Sequence, residues 1–250
     1  MMTGQYIFAD EPVRIESQYD YIHRMCAEYV AQEVEEKQII PVHTTPEQIQ
    51  HEQVLSDEEM RYEGHDEVQY PPEYLETLAV YRQMCNALPE RNVLLMHGSV
   101  IAVDGKAYMF TAVSGTGKST HTRLWREHFG NRAMMINDDK PLVRVEDGKA
   151  LAYGTPWDGK HHLSTNTSAP LCGIVILERG EQNEIERISG EDAFPTLVQQ
   201  SYRPEGMDGF VKVMDMLAKL AENVPMYRLH CNMNPDAAIV SAKGLGVANV

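Results

Sequence analysis

The chain is poor in positive charge. Its 250 residues carry 22 Lys and Arg against 37 Asp and Glu, a formal net charge of −15. Surfaces that bind nucleic acid or anionic membrane need clustered Lys and Arg, so neither is an expected partner. The deficit sits at the front: residues 1–75 hold 17 acidic and 4 basic side chains, whereas residues 76–250 hold 20 and 18. That front half reads as a solvated acidic surface or as a docking face for a basic partner. Cysteine is scarce as well. Cys26, Cys85, Cys172 and Cys231 are far apart and form no CxxC pair. Such spacing argues against a disulfide framework or a zinc site and for reduced thiols in the cytoplasm. No apolar run approaches the roughly 18 residues of a membrane span. The start, "MMTGQYIFADEPVRIE", lacks a basic stretch followed by an apolar core, so no secretory signal is expected. Internal repeats and low-complexity segments are missing too, and a homo-oligomer is compatible with all of this.

What is present is ordinary globular composition with two differently patterned parts. In residues 1–70 the runs "YIF", "VRI" and "KQIIPVHT" read as short strands, and "YDYIHRMCAEYVAQEV" as an amphipathic helix. "TPEQIQHEQVL" opens a second helix, with Thr45 as N-cap and Pro46 at its first position. The acidic, turn-rich "SDEEMRYEGHDEVQYPP" is the expected linker. These features predict a small acidic α+β region over 1–70, followed by a catalytic domain over 71–250. The latter starts with a helix in which Tyr74, Leu78, Tyr81, Cys85 and Leu88 recur at helical spacing, stopped by Pro89. Asp104-Gly105 and Asp147-Gly148, each between two β-like runs, are strong hairpin signals. "CGIVILE" has the continuous apolar character of a central strand, and "MYRLHC" reads as another. Two further helices are expected: "GMDGFVKVMDMLAKLAENV", with Phe210, Met214, Leu217 and Leu220 or Ala221 on one face, and "NPDAAIVSAKG".

Chemistry concentrates at "AVSGTGKST", residues 112–120. A loop that holds polyphosphate must curl so that successive backbone N–H groups point inward, and Gly115 and Gly117 permit that path. Lys118 supplies a point charge to the β/γ-phosphates, the Ser119 hydroxyl can ligate Mg²⁺, and Ser114, Thr116 and Thr120 complete the candidate nucleotide loop. A strand, "AYMFTAV", precedes it, and a helix, "KSTHTRLWREHF", follows with its positive end aimed at the same place. At average glycine usage, GxGK[ST] arises by chance in roughly one chain of this length in a hundred. An ordinary glycine turn and a dinucleotide site are the competing readings; the second lacks its third small residue, since position 120 is Thr. The Asp104-Gly105 hairpin makes the preceding strand one arm of an antiparallel pair, which predicts a mixed, partly antiparallel sheet rather than the parallel sheet of common P-loop proteins.

"MHGSVIAVDGKAYMFTAVSGTGKST…MINDDKPLV" resembles the core of HPr kinase/phosphorylase, over about residues 92–145. In that family a His-Gly strand precedes a hairpin, then a GxSGxGKS loop, then an Asp-Asp pair. "SGTGKST" is similar also to the loop of phosphoenolpyruvate carboxykinases, which share the fold. Two departures stand out: Ala112 replaces the family's glycine, and its later arginine-containing signature has no counterpart in 146–250. The resemblance implies an α/β fold, ATP and Mg²⁺ as cofactors, and phosphoryl transfer to a hydroxyl. It also implies that Lys118 and Ser119 bind phosphate and metal. Asp138 and Asp139 would divide the work of general base and metal contact, and His97 would stand near the transferred phosphate. The acceptor, whether protein, peptide or small molecule, stays open.

Independently of any family, phosphoryl transfer to a hydroxyl needs one carboxylate near Mg²⁺ and one near the nucleophile. "NDD" reads otherwise as a polar turn, and His97 as a buried structural histidine. "YGTPWDGKHHL" (153–163) is a candidate substrate loop, in which Lys160 would steady the γ-phosphate and Trp157 would cover base or acceptor; its bland reading is a connecting turn. Two other functions are compatible with the motifs: a non-catalytic nucleotide-sensing module and a carboxykinase-type enzyme.

Overall fold

In a computed structural model of the chain, residues 1–32, 35, 38–64 and 66–250 are described, with the side chains of Glu59 and Glu63 left aside. Two compact units emerge, Met1–Arg91 and Asn92–Val250. The division falls about twenty residues after the 70/71 boundary expected from the linker-like composition. The physical reason is that most of that segment is helical. Strands β1 (Met2–Phe8), β2 (Glu11–Ser17) and β3 (Ile40–His43) form a three-stranded sheet in that order. Helix α1 is short (Tyr21–Met25), so the long helix expected over residues 19–34 is mostly not formed; its last two residues, and the Lys37 that opens the expected third strand, lie outside the described residues. Helix α2 (Pro46–Glu63) starts with a full capping box. Thr45 accepts from the Gln48 backbone at 3.3 Å, and Gln48 Oε1 accepts from the Thr45 backbone at 2.9 Å. It runs into the expected linker, ending at Gly64 in the left-handed conformation; His65 of that linker lies outside the described residues.

Helix α3 (Pro72–Ala87) belongs to this first unit because its charged groups are committed there. Glu76, fully buried, accepts from the backbone N–H of Gln18 and Tyr19 and from the Thr44 hydroxyl. Arg82 makes a two-pronged pair with the buried Glu52 of α2, at 2.8 and 3.0 Å. The buried face of α3 is accordingly wider than its apolar stripe, and Tyr74 is exposed.

The second unit is built on a nine-stranded mixed sheet. Its strands are β4 (Val93–Leu95), β5 (Ser99–Val103), β6 (Lys106–Thr111), β7 (Ala133–Asn137), β8 (Leu142–Glu146), β9 (Lys149–Tyr153), β10 (Ser168–Arg179), β11 (Glu184–Ile188) and β12 (Met226–Cys231). Both expected hairpins form: Asp104 and Gly105, then Asp147 and Gly148, all have φ between 50° and 76°, as a type I′ turn requires. The antiparallel arm β5–β6 is joined to parallel pairs β6–β10 and β10–β12. Strand β10, the "CGIVILE" strand, is long enough to serve two branches: residues 168–170 pair with β9 and residues 174–179 with β12.

Alternation along these strands fills two apolar layers. Val100, Met109, Ile174 and Ile176 face helices α5 (Gly190–Gln199) and α6 (Met207–Asn223). Ile101, Tyr108, Phe110, Val175 and Leu177 face α4 (Lys118–Phe129) and α7 (Asp236–Gly244). On α6 the buried side chains are Val213, Met216, Leu217 and Leu220, so the expected face is rotated and Phe210 is partly exposed. None of the four cysteines forms a disulfide, and among the described residues no helix is long and apolar enough to cross a membrane.

The segment between β9 and β10 is pinned at its base. A Cβ on Gly154 would sit 2.0 Å from the Thr165 carbonyl oxygen and 2.8 Å from that of Ile136, both backbone atoms. Gly154→Ala should therefore destabilise the protein by about 3 kcal/mol, at the upper end of overpacking costs. Thermal melting should show a midpoint lower by about 10 °C; an unchanged midpoint would refute this close approach.

Candidate functional site

The glycine loop leaves the end of β6 and returns as α4. Gly115 (φ 74°) and Gly117 (φ 121°) occupy backbone regions that side chains disfavour, and the Thr116 hydroxyl ties back to the Val113 carbonyl at 2.8 Å. Ala112 has no such conformation: it is buried with ordinary φ in the layer under α4, so a methyl here fits without strain. Lys118, the first residue of α4, is buried and donates from Nζ to the Ala112 carbonyl at 3.0 Å, across the loop's base. What locks α4 in place is aromatic. Trp125 is fully buried among Tyr108, Phe110 and Phe129, and its indole N–H donates to Ser241 of α7 at 2.8 Å.

Three segments converge at this end of the sheet because β5 pairs with both β6 and β7. The register sets Ser99 opposite Phe110 and Val100 opposite Asn137. His97, the loop and the Asp138-Asp139 pair are thereby brought to one edge. Asp138 is buried, and its Oδ1 accepts from the Ser99 hydroxyl at 2.6 Å. Asp139 points elsewhere. It lies 3.4 Å from His97 Nε2 and 3.0 Å from Lys140 Nζ. Asn137 shapes the turn between them and the next strand. Its side-chain oxygen accepts from the backbone N–H of Asp139 (2.8 Å) and Lys140 (2.7 Å), while its Nδ2 donates to the Thr155 carbonyl at 3.0 Å.

Electrostatics make His97 a neutral group. Burial, reinforced by the Lys118 ammonium and less by that of Lys140, pushes its imidazole down to about 4 despite the Asp139 carboxylate. His121, on the inner face of α4, is pushed down to about 4 by burial alone. Its Nε2 lies 3.0 Å from the Ser241 hydroxyl, which itself donates to helix carbonyls, so Nε2 carries the hydrogen.

The candidate substrate loop divides. Trp157 is buried, which makes it a packed wall rather than a cover, whereas Lys160 is exposed on the single 3-10 turn Gly159–His161. Buried Asp158 holds the turn, accepting from Ser164 at 2.9 Å and lying 3.1 Å from His162 Nδ1. Gly159 lies against Asp139: a Cβ there would be 3.3 Å from the Asp139 Cβ.

On the other side of the loop lies a cavity of about 500 Å³. Gly115, Thr120 and Leu124 form one wall, and Arg179, Cys231 and Asn232 the other. Strands β6, β10 and β12 are mutually parallel, so their carboxyl ends meet here, the usual place for a ligand in such sheets. Arg179 donates to the Gly115 carbonyl at 2.6 Å. Sequence reasoning missed Arg179, Asn232, Ser99 and Thr122, which belong to no motif; only adjacency to His97 singles out Ser99. Among the described residues no three His, Cys, Asp or Glu gather as a metal cage, so a cation at Asp138 would draw on hydroxyl, phosphate and water ligands.

No family model and no curated protein matches the chain. Among solved structures, the HPr(Ser) kinase/phosphatase from Coxiella burnetii is similar at a TM-score of 0.37 and 9% identity, over 61% of this chain and 88% of that one.

The two neutral histidines set a pH dependence. Unfolded, each takes a proton near pH 6.5; folded, each resists until about pH 4. Stability from this source is complete above about pH 6.5 and is lost as pH falls towards 4. Urea midpoints at pH 7 and 4.5 should show the decline, and His121→Gln should make it shallower. An equal decline in that variant would assign it to other groups.

Proposed function

We propose that the protein is an ATP- and Mg²⁺-dependent kinase that transfers a phosphoryl group to a hydroxyl of a protein, a peptide or a small molecule, as the resemblance to HPr kinase/phosphorylase implies. The observation that carries this reading is the convergence of Lys118, Asp138, Asp139 and neutral His97 at one sheet edge. The 500 Å³ cavity beside the loop suits a nucleoside, and the triphosphate would then lie over Gly115–Thr120 at the start of α4. Lys118 exchanges its bond to the Ala112 carbonyl for the β/γ-phosphates.

Ser119 and Asp138 suit Mg²⁺ because both offer hard oxygen donors, and Asp138 Oδ2 takes no hydrogen bond from the described residues. These two residues would hold the ion, which would supply neutralisation of phosphate charge. Asp139 is the proton acceptor. As the acceptor oxygen bonds to the γ-phosphorus and the bond to the β–γ bridging oxygen breaks, its proton passes to Asp139, and ADP leaves. His97, uncharged, lies 3.4 Å from the Asp139 carboxylate and adds no further positive charge to that of Lys118 and Lys140. A cytoplasmic location, where ATP is abundant, goes with this reading.

Lys118→Ala should lose ATP affinity and all transfer with the fold intact. Asp138→Asn should weaken the Mg²⁺ dependence of ATP binding. Asp139→Asn should bind Mg-ATP nearly normally yet transfer at least about a hundredfold more slowly. The assay is γ-labelled ATP with Mg²⁺ and an extract of the source cells, followed by identification of the labelled acceptor. Wild-type transfer rates in both Asp variants would dismiss the catalytic pair, and tight ATP binding without any labelled product would favour a nucleotide sensor.

A further inference from the structure

We infer that Ser99 and Thr122 form a buried hydroxyl relay that positions Asp138 for the cation. The inference rests on the kinase reading and assigns two residues outside the phosphate loop and the acidic pair. Ser99, fully buried on β5, has a single hydroxyl hydrogen, and a carboxylate is its strongest available acceptor, at 2.6 Å. That hydrogen being committed to Asp138 Oδ1, the Thr122 hydroxyl 2.9 Å away is the donor to Ser99 Oγ. Its alternatives, the carbonyls of Lys118 and Ser119 in its own helix, are longer at 3.3 Å each. The chain therefore runs from Thr122 through Ser99 to Asp138.

Two consequences follow from where these residues stand. Thr122 lies one helical turn after Lys118 and Ser119, so the relay couples the carboxylate to the turn of α4 that bears the phosphate ligands. It also fixes the carboxylate through Oδ1, and so sets the direction in which Asp138 meets a cation. All three side chains are buried, where a hydrogen bond to a charged group holds its geometry against water. Ser99 and Thr122 are thus positioning residues: neither touches substrate.

The test uses the full chain and calorimetric titration of ATP at a series of Mg²⁺ concentrations. Ser99→Ala should raise the Mg²⁺ concentration for half-maximal enhancement by about tenfold, the scale of one hydrogen bond to a charged group, while ATP affinity without Mg²⁺ stays unchanged. Thr122→Val, nearly isosteric, should raise it in the same direction by a smaller factor. Adding Thr122→Val to Ser99→Ala should then have little further effect, because the link is already cut. Lower melting temperatures with an unshifted Mg²⁺ dependence in either single variant would show a purely structural role and overturn the relay. If Ser99→Ala fails to fold, Thr122→Val alone decides by the same readout. A wild-type protein that binds no Mg-ATP would instead overturn the kinase reading, and the relay with it.

Discussion

Everything at the candidate site depends on β5 having two antiparallel partners. One edge of this strand pairs with β6, which delivers the glycine loop; the other pairs with β7, which delivers the Asp pair. Ser99 opens β5 and His97 lies two residues before it, so the same backbone register fixes all three groups. A one-residue slip on either side would turn Ser99 away from Asp138 or swap the faces of Tyr108 and Met109, exchanging an aromatic layer for an aliphatic one. The two well-filled layers therefore guard the chemistry: packing energy enforces a register that polar contacts alone would not.

On both units several buried charges have specific partners. In the first unit Glu76 meets three donors and Glu52 a two-pronged arginine. In the second, Asp138 meets Ser99, and His97 and His121 shed their charge. Under the proposed kinase reading this last choice matters. Lys118 and Lys140 already stand near His97, and a third cation would pull on Asp139 and lower its worth as a base.

Much of this was legible in the sequence because it lies in local patterns. Asp-Gly hairpins, the Thr45 capping box and the continuous apolar run of β10 each carry their own physical cause within a few residues. The loop residues and the Asp pair were legible for the same reason. What was illegible depends on distant partners. Helix α1 is cut short and α3 joins the first unit through Glu76, whose donors are 32 to 58 residues away. Strand β11 and helix α5 went unread, since an exposed edge strand and a ten-residue helix containing Pro195 show weak periodicity. Ser99 and Thr122 are common residues whose meaning arises only when β5 and α4 are laid together. The Asp-Asp motif read as two carboxylates with separate jobs; the burial of Asp138 and the setting of Asp139 beside His97 and Lys140 are what support the proposed assignment.

The two sides of the site are built by different means, and this bears on what can vary. The glycine-loop side is made from the carboxyl ends of three parallel strands and the first turns of a helix locked by Trp125. A substitution there disturbs the sheet as well as the ligand. The opposite side is the segment 155–164, anchored at its base by Gly154, Thr155 and Thr165 and braced inside by Asp158. Its exposed residues are Lys160, His161 and His162, and of these His162 is tied to Asp158 through Nδ1 at 3.1 Å. Under the proposed kinase reading, such a rigid base with an exposed crest would let an acceptor preference change while Lys118, Asp138 and Asp139 stay in register. The glycine loop and the acidic pair lie in motifs that recur, whereas the side chains of the crest answer to no motif. That asymmetry is why the sequence suggests a phosphate donor and hardly speaks of an acceptor.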